Sequence, residues 1–317
     1  MIPESLRSLL RRPFALLIAA IVVVAAVACG GSDEPAPTAP MPGGTDVIAV
    51  TTLPVFADFV RQAGGDRVGV AALMPDGLKD TPTSLPPELH DWLRSADVVL
   101  YNGLDLESTV EDLLFVDKRR GSQIVTYSQD VASPTVDGHS ASEARDNPYL
   151  WMDPLFAGVY VATTWDSLAI VDSEGASVYE ANAGRYIGEI NAVHQEMEKA
   201  LKAIPEKQRK MVAFHPAFVH LARRYGLELV QMPTLVSNNP ASPRRVEEWV
   251  ATIEAQGVSS VFTARGYTSP LLTAAARKAG VQVCELYVDV LDSKVSTYVE
   301  MMRFNTKELV RCLGGGN

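Results

Sequence analysis

Residues 172–205 have the sequence DSEGASVYEANAGRYIGEINAVHQEMEKALKAIP, and this stretch decides how the rest of the chain is organised. Its apolar side chains recur at intervals of three and four residues, which is the period of an amphipathic helix. Asp172 is a residue type that caps helix N-termini, and Pro205 cannot continue a helix. A helix of about 30 residues reaches roughly 45 Å, which exceeds the width of one small domain. The stretch predicts a rod that joins two lobes, with an ordinary long surface helix as the alternative.

Segments typical of strands and helices alternate on both sides of this stretch. The predicted strands are residues 47–51, 68–74, 97–101 and 123–127 before it, and 210–214, 228–232, 258–263 and 281–288 after it. Such alternation indicates mainly parallel sheets with helices on their faces. We therefore predict an α/β fold of two lobes, each a mainly parallel sheet flanked by helices, joined by one long helix. The predicted bounds are 47–171 for the N-terminal lobe, 172–205 for the connecting helix and 206–313 for the C-terminal lobe.

The composition limits the classes of function. The chain has 317 residues, of which 47% are apolar and 21% charged, so it can bury a sizeable core. A formal net charge of −10 argues against a nucleic-acid partner. The sequence contains no Gly-x-Ser-x-Gly elbow, no Gly-rich phosphate loop, no His-x-x-x-His pair and no Cys-x-x-Cys pair, so we do not expect an enzyme.

The first 28 residues predict a lipoprotein signal peptide. A segment with three arginines precedes an apolar run at residues 14–28, and small residues follow. Ala-Val-Ala-Cys at 26–29 resembles a bacterial lipobox, which makes Cys29 the predicted lipidated residue; an uncleaved membrane anchor is the alternative. Residues 29–46, rich in Pro, Gly, Ala and Thr, are a predicted flexible tether. The expected location is extracytoplasmic, on the outer face of the cytoplasmic membrane or the cell surface.

Two more cysteines lie in the C-terminal half of the chain. Cys284 falls in a predicted strand and Cys312 lies near the C-terminus. An oxidising compartment permits a disulfide, but sequence does not show whether the two residues are close. Free thiols are the favoured expectation.

Polar side chains follow predicted strands in both lobes. Ligands of parallel α/β sheets bind at the carboxyl ends of strands, and a cleft between lobes suits a small ligand. Side chains in the loop after residues 68–74, just before the helix at 154–171, and after the strands at 210–214 and 281–288 are therefore predicted to line one site. The candidates are Asp80, Thr81, Tyr149, His215 and Asp289.

Several short stretches are together specific for one family. They are AVTTLP at 49–54, VLYNGLDLE at 99–107, NPYLWMDP at 147–154, FHPAF at 214–218, LYVD at 286–289 and MMRFN at 301–305. Over most of residues 46–313 the chain resembles the solute-binding component of bacterial zinc/manganese ABC importers. The resemblance implies two α/β lobes joined by a long helix, a bound divalent zinc or manganese ion and an ABC permease as partner. We expect a monomer.

The resemblance also implies a set of metal ligands. Members of the family bind the metal through four side chains, typically three His and one carboxylate. His215 and Asp289 match the third and fourth positions, and Tyr149 replaces the second His. Thr81 falls near the position of the first His, with Asp80 beside it as a substitute carboxylate. The scaffold is thus kept while half of the usual ligands are missing.

The altered ligand set leaves three functions open. Tetrahedral zinc prefers nitrogen and sulfur donors, so one His and one Asp are few, whereas a Tyr149 phenolate would suit ferric iron. The chain is thus expected to carry zinc or manganese to a permease, or to act in adhesion without a metal, or to bind a different ligand such as ferric iron. Arg265 lies where the family often has an acidic residue nearby. It would neutralise Asp289 in an empty site, contact an anionic ligand or lie on the surface.

The remaining histidines are expected to be solvated or structural rather than ligands, and Asp153 is expected to cap the helix that follows it. These histidines are His90, His139, His194 and His220.

Overall fold

The structure of the protein is a computed structural model that describes residues 44–75, 77–80, 86–131, 147–232 and 242–314. For residues 79, 80 and 109 only the backbone is described. The predicted signal peptide with Cys29, most of the predicted tether, Thr81 and His139 lie outside the described residues.

Eight strands in the described residues form two four-stranded sheets with the same order. The first sheet has the order β2-β1-β3-β4 and the second the order β6-β5-β7-β8, with every neighbouring pair parallel. Parallel strands are covered on both faces, which is why their sequences are nearly continuous apolar runs. The strands are β1 (Val47–Thr51), β2 (Val68–Ala72), β3 (Val98–Tyr101), β4 (Gln123–Thr126), β5 (Lys210–Ala213), β6 (Glu228–Gln231), β7 (Ser260–Ala264) and β8 (Gln282–Leu286). The predicted α/β fold with two mainly parallel sheets is confirmed.

Helices flank both sheets. They are α1 (Pro54–Gly64), α2 (Pro87–Ser95), α3 (Ser108–Val116), α4 (Tyr127–Val131), α5 (Pro154–Val171), α6 (Ala176–Lys202), α7 (Val219–Tyr225), α8 (Pro243–Gln256), α9 (Pro270–Ala279) and α10 (Tyr298–Leu313). Residues that favour helix ends lie at several of their termini. Thr297 and Glu300 form a reciprocal capping box at the start of α10, and Gly280 ends α9 with φ of +70°.

The long helix α6 is shorter than predicted and begins four residues later. The sequence predicted that Asp172 caps this helix. That prediction was wrong, because Gly175 occupies the N-cap position. The Asp172 carboxylate instead accepts hydrogen bonds from Arg67, from the Tyr179 hydroxyl and from the Gly175 N–H. It therefore fixes the turn between α5 and α6. Along its length α6 packs against α1 and α5 from before it and against α7 and α10 from after it.

Helix α5 is apolar on most of its surface, with a mean hydropathy of 1.3, and is long and apolar enough to cross a membrane by composition. In this fold half of it is buried. It packs against α1, α4 and α6, which accounts for its apolar character.

The largest apolar core is continuous between the two halves of the chain. Two smaller clusters each cover one face of a sheet, one around Trp92 and one around Trp249. A continuous core means that the halves share buried surface and resist wide separation. Its members from before, within and after α6 include Phe56, Phe59, Trp151, Tyr160, Tyr186, Met197, Leu286 and Tyr298.

Cys284 and Cys312 form a disulfide, so the expectation of free thiols was wrong. Helix α10 packs on β8 and brings the two Cα atoms to 6.7 Å, although the residues are 28 apart in sequence. Proximity of this kind arises from tertiary packing, which is why sequence spacing did not reveal it.

Candidate metal centre

Three side chains meet at the carboxyl ends of the strands of the second sheet. His215 follows β5, Tyr267 follows β7 and Asp289 follows β8, and β7 lies between the other two strands. The ring of Tyr267 is 4.5 Å from the ring of His215, centroid to centroid. Its hydroxyl donates a 3.0 Å hydrogen bond to Oδ2 of Asp289. The two predicted ligands therefore lie on either side of one tyrosine.

Tyr149 reaches the same place from the loop before α5. Its ring centroid is 5.3 Å from that of His215. Asn147 positions this loop, because its amide nitrogen donates to the carbonyl of Pro216 and its amide oxygen accepts from the Tyr149 N–H. The residue that replaces the family's second His is thus beside the residue that matches the third.

Both halves of the chain hold this loop in place. Asn102, after β3, donates to the carbonyl of Pro148 at 3.0 Å. A ring nitrogen of His220 lies 2.9 Å from the carbonyl of Asn147, and the indole N–H of Trp151 donates to the carbonyl of Val288. His220 is 2% exposed, which agrees with the structural role expected for it. The loop is therefore a fixed wall of the site.

Asp153 ends the loop and caps α5, as predicted. Its Oδ1 accepts from the Leu155 N–H at 3.0 Å, and its Oδ2 pairs with Arg224 at 2.7 Å. Both oxygens are used in fixing the helix. The carboxylate of Asp153 thus has a structural role.

The carboxylate of Asp289 is deeply buried, at 1% exposure. Its Oδ2 accepts from the Leu78 N–H at 2.8 Å and from the Tyr267 hydroxyl. Its Oδ1 is buried and has no hydrogen-bond partner among the residues that the structure describes. Burial raises the pKa of Asp289, and the Leu78 N–H, the Tyr267 hydroxyl and the nearby N–H groups of Asp289 and Val290 offset part of that rise. A buried carboxylate oxygen without a partner is costly, so Oδ1 is well suited to meet a cation.

The turn after β2 closes over Asp289 from the first half of the chain. Gly77 has φ of +73°, and a Cβ atom there would lie 2.8 Å from Cγ and Oδ2 of Asp289. Only glycine permits this approach. Asp80 lies in the same 3-10 turn, Gly77–Asp80, but its side chain is not described, and Thr81 is outside the described residues. Their roles as ligands stay predictions.

His215 is held as a neutral imidazole. Burial lowers its pKa to about 4, so the ring carries no charge at neutral pH, which is the state that binds metals. Its Nδ1 accepts from the Ala217 N–H at a long 3.3 Å. In this arrangement the ring proton is on Nε2, and coordination through Nε2 would require the other tautomer at the expense of that weak bond.

Tyr149 is a neutral phenol here. Burial and, secondarily, the charge of Asp289 raise its pKa well above the ordinary value. A phenolate at this position therefore needs a cation to stabilise it.

Other candidates are engaged elsewhere. Arg265 pairs with Asp292 at 3.2 Å and stacks on the ring of Tyr287, so Asp292 is the carboxylate with which it pairs. His90 lies 2.7 Å from a carboxylate oxygen of Asp117. His194 lies 3.0 Å from the Tyr225 hydroxyl and is half-buried rather than fully on the surface.

Sequence reasoning missed Tyr267 and Gly77. The sequence analysis noted that an acidic residue is missing after the strand near Thr263, which is β7. It did not consider Tyr267, three residues past the end of that strand. Applying the strand-end rule to every strand of the second sheet would have found it. Within the described part of the chain, no three side chains of His, Cys, Asp or Glu lie close enough together to form a metal site by themselves.

Comparison with known proteins identifies the family. The family model described as zinc-uptake complex component A, periplasmic, matches residues 49–312. The manganese-binding lipoprotein MntA of Halalkalibacterium halodurans is 27% identical over 304 residues, covering 94% of this chain and 97% of the relative. The zinc-binding protein TroA of Treponema pallidum and the iron-binding protein YfeA of Yersinia pestis are each 26% identical, covering 84% of this chain and 88% and 86% of the relatives.

Solved structures agree with this assignment. The periplasmic zinc-binding protein TroA of Treponema pallidum superposes with a TM-score of 0.71 at 25% identity, covering 84% of this chain and 99% of that one. The Mn-bound periplasmic metal-binding protein of Candidatus Liberibacter asiaticus shares the fold, with a TM-score of 0.69 at 21% identity over 84% and 98% of the two chains. The chain therefore belongs to the family of the periplasmic zinc-uptake complex component A.

Proposed function

We propose that this protein is the extracytoplasmic solute-binding component of an ABC importer and carries zinc or manganese to a permease. The observation that carries the proposal is the buried Oδ1 of Asp289, which has no hydrogen-bond partner among the described residues, with His215 on the other side of Tyr267. Relatives named for manganese, zinc and iron support a transition-metal cargo.

The proposed ligands are His215 and Asp289, with Tyr149 and either Asp80 or Thr81 completing the set. Three of these four positions offer oxygen and one offers nitrogen. Carboxylate and other oxygen donors suit manganese, whereas structural zinc sites favour nitrogen and sulfur. Of the two divalent ions we therefore infer that manganese is bound more selectively.

We infer that the cargo lies between two lobes, residues 47–171 and 206–313, joined by the helix predicted at 172–205. The contact of Leu78 with Asp289 closes the cleft from the first lobe. The continuous core and the length of α6 oppose a wide hinge motion. Release would then rest on small tilts and on movement of the Gly77–Asp80 turn.

We also propose that Cys29 carries the lipid that holds the protein, as a monomer, at the outer face of the membrane. Five curated relatives are named lipoproteins, which supports this anchor. Mass spectrometry of the protein from its membrane would test it: an acylated Cys29 is expected, and an intact N-terminus would contradict it.

Thermal unfolding of the purified, metal-stripped protein tests the cargo. A ligand at 100 times its dissociation constant stabilises the folded state by about 2.7 kcal/mol, so manganese should raise the unfolding temperature. His215→Ala and Asp289→Asn should remove that shift. His90→Ala, on α2 and paired with Asp117, is the matched control and should keep it.

Two results would contradict the proposal. One is the absence of a shift with both manganese and zinc, which would favour the adhesion alternative. The other is an equal rise of the unfolding temperature in wild type and His215→Ala, which would show that the ion binds at another site.

A further inference from the structure

The two proposed ligands in the second half of the chain follow strands that are not neighbours. His215 follows β5 and Asp289 follows β8, and β7 lies between these strands. Neighbouring strands are about 4.8 Å apart, so β5 and β8 are separated by roughly 9.5 Å. Tyr267 lies between the two side chains, with its ring centroid 4.5 Å from that of His215 and its hydroxyl on Asp289. The sheet therefore keeps the imidazole and the carboxylate apart.

The side chain of Asn147 fixes the backbone next to His215. Its amide nitrogen donates a 2.8 Å hydrogen bond to the carbonyl of Pro216, the residue that follows His215. A ring nitrogen of His220, on α7, lies 2.9 Å from the main-chain carbonyl of Asn147. Asn147 is thus bound at two points to the segment that carries His215.

The side chain of Trp151 fixes the backbone next to Asp289. Its indole N–H donates a 2.7 Å hydrogen bond to the carbonyl of Val288, and its own carbonyl accepts from the Tyr298 hydroxyl at 2.8 Å. Trp151 is fully buried, and its ring packs edge-on against Phe56 at a centroid distance of 5.0 Å. Because close-packed interiors leave little room for movement, the end of β8 is held in place.

One loop, residues 147–151, therefore connects the backbone beside both ligands. A bond at each end of the loop resists movement of either strand end towards the other. The loop acts as a brace in addition to the sheet itself, and its hydrogen bonds are those of supporting residues that fix metal ligands from outside the coordination sphere.

We propose that Asn147 and Trp151 are positioning residues that make the site prefer manganese to zinc, by resisting the approach of His215 and Asp289 that a tetrahedral ion requires. This inference rests on the proposed function, because it concerns the same cargo. For a given set of nitrogen and oxygen ligands zinc binds more tightly than manganese, so a preference for manganese has to come from geometry. Zinc favours four ligands in a tetrahedron, whereas manganese suits octahedral oxygen sites. A braced pair of ligands penalises the first arrangement more than the second.

Dissociation constants of the metal-stripped protein for manganese and for zinc test the proposal. Trp151→Phe keeps an aromatic ring but loses the N–H, and Asn147→Ala loses the bond to Pro216. Loss of a residue that supports a metal ligand weakens binding about 10- to 100-fold, and we expect this for manganese in each variant. Zinc should lose much less, because a loosened pair can contract around it. The ratio of manganese to zinc affinity should therefore fall about tenfold.

Two matched controls separate positioning from stability. Asn182→Ala removes a similar side-chain amide, which donates to the carbonyl of Ala63 between α6 and α1, and Trp92→Phe replaces a buried indole in the cluster on the first sheet. Neither residue belongs to the loop or to the segments that carry His215 and Asp289. Both controls should keep the wild-type affinity ratio. An equal fall of the ratio in the controls would overturn the proposal.

Cobalt(II) bound to the wild type provides a measurement that does not depend on whether the variants fold. Tetrahedral cobalt absorbs visible light much more strongly than five- or six-coordinate cobalt. The cobalt-loaded wild type should show weak bands, and these should become more intense in Trp151→Phe. Bands of tetrahedral intensity in the wild type would overturn the inference.

The same titrations distinguish failure of this inference from failure of the proposed function. Manganese binding by the wild type, with an affinity ratio unchanged in both loop variants, would overturn the inference alone. Absence of binding of both metals by the wild type would overturn the proposed function and this inference with it. A ratio that falls in either loop variant and not in its control supports the proposal.

Discussion

The hydroxyl of Tyr186, on the long helix α6, donates a 2.6 Å hydrogen bond to the carboxylate of Asp58 on α1. The same carboxylate oxygen accepts from the Tyr298 N–H at the start of α10, and Asp58 is only 1% exposed. Burial raises its pKa, and these two bonds partly offset the rise. One carboxylate thus joins a helix from each half of the chain to the helix between them.

We expect Asp58→Ala to lower the free energy of unfolding by about 3 kcal/mol, because each buried donor left without an acceptor costs roughly 1–3 kcal/mol. Chemical denaturation measures this change. Gln62→Ala is the control, since it removes the partner of the other Asp58 oxygen from a less buried position, and it should cost well under half as much. An equal decrease of the unfolding free energy in the two variants would show that the bonds from Tyr186 and Tyr298 to Asp58 add little stability.

Gly77→Ala should impair both folding and metal binding. A left-handed backbone costs a non-glycine residue about 1–2 kcal/mol, and here the new methyl group would also displace the Asp289 carboxylate. Gly257→Ala is the control, because its φ is +63° and a Cβ atom there meets nothing within 4 Å. Manganese affinity should fall at least about tenfold in Gly77→Ala, as for lost support of a ligand. An unchanged affinity would mean that the turn does not position Asp289.

The buried carboxylate of Glu107 should make stability depend on pH. It accepts hydrogen bonds from the Thr52 hydroxyl and from the N–H groups of Asn102 and Gly103. Burial raises its pKa from 4.5 to about 7 despite these bonds. Between those values the folded protein keeps a proton that the unfolded chain has lost, so this residue makes stability fall as the pH rises.

Glu107→Gln isolates this effect, because Gln does not ionise. The stability advantage of wild type over the variant should shrink by about 3 kcal/mol from pH 4.5 to pH 7.5, at 1.36 kcal/mol per pKa unit. Denaturant titrations at several pH values measure it, with Glu111→Gln, on the helix α3 that Glu107 precedes, as control. An advantage that stays constant or grows with pH would contradict the assignment.

Removing the disulfide in the double variant Cys284→Ala/Cys312→Ala should lower the unfolding free energy by about 3–4 kcal/mol, the value for closing a loop of this length. Reductant should destabilise the wild type by a similar amount and leave the double variant unchanged. A wild type insensitive to reductant under unfolding conditions would argue that the bond contributes little.

Much of the fold was predictable because it depends on local pattern. All eight strands were predicted within a few residues of their ends, and α5 had the predicted bounds. The exceptions depend on tertiary contact. Asp172 is a good capping residue by type, yet Arg67 and Tyr179 engage it in a turn, and Cys284 meets Cys312 only because α10 packs on β8.

The residues of the candidate site also differ in whether local pattern or tertiary packing reveals them. His215, Asp289 and Tyr149 could be predicted as candidates because they follow strands or match a family motif. Tyr267 could be recognised only from the order of strands, since β7 lies between β5 and β8. Strand order is set by packing over the whole sheet and is not written in any one segment.

The Leu78 amide contacts Oδ2 of Asp289, while Oδ1 of the same carboxylate is the proposed ligand of the cargo. Thermodynamic reciprocity then applies: if engagement of this amide strengthens cation binding by some factor, a bound cation strengthens the amide contact by the same factor. A transporter that drew the Gly77 turn outward would therefore lower the affinity without touching the ion. Release of the ion would then require displacement of a single peptide group and no separation of the two halves of the chain.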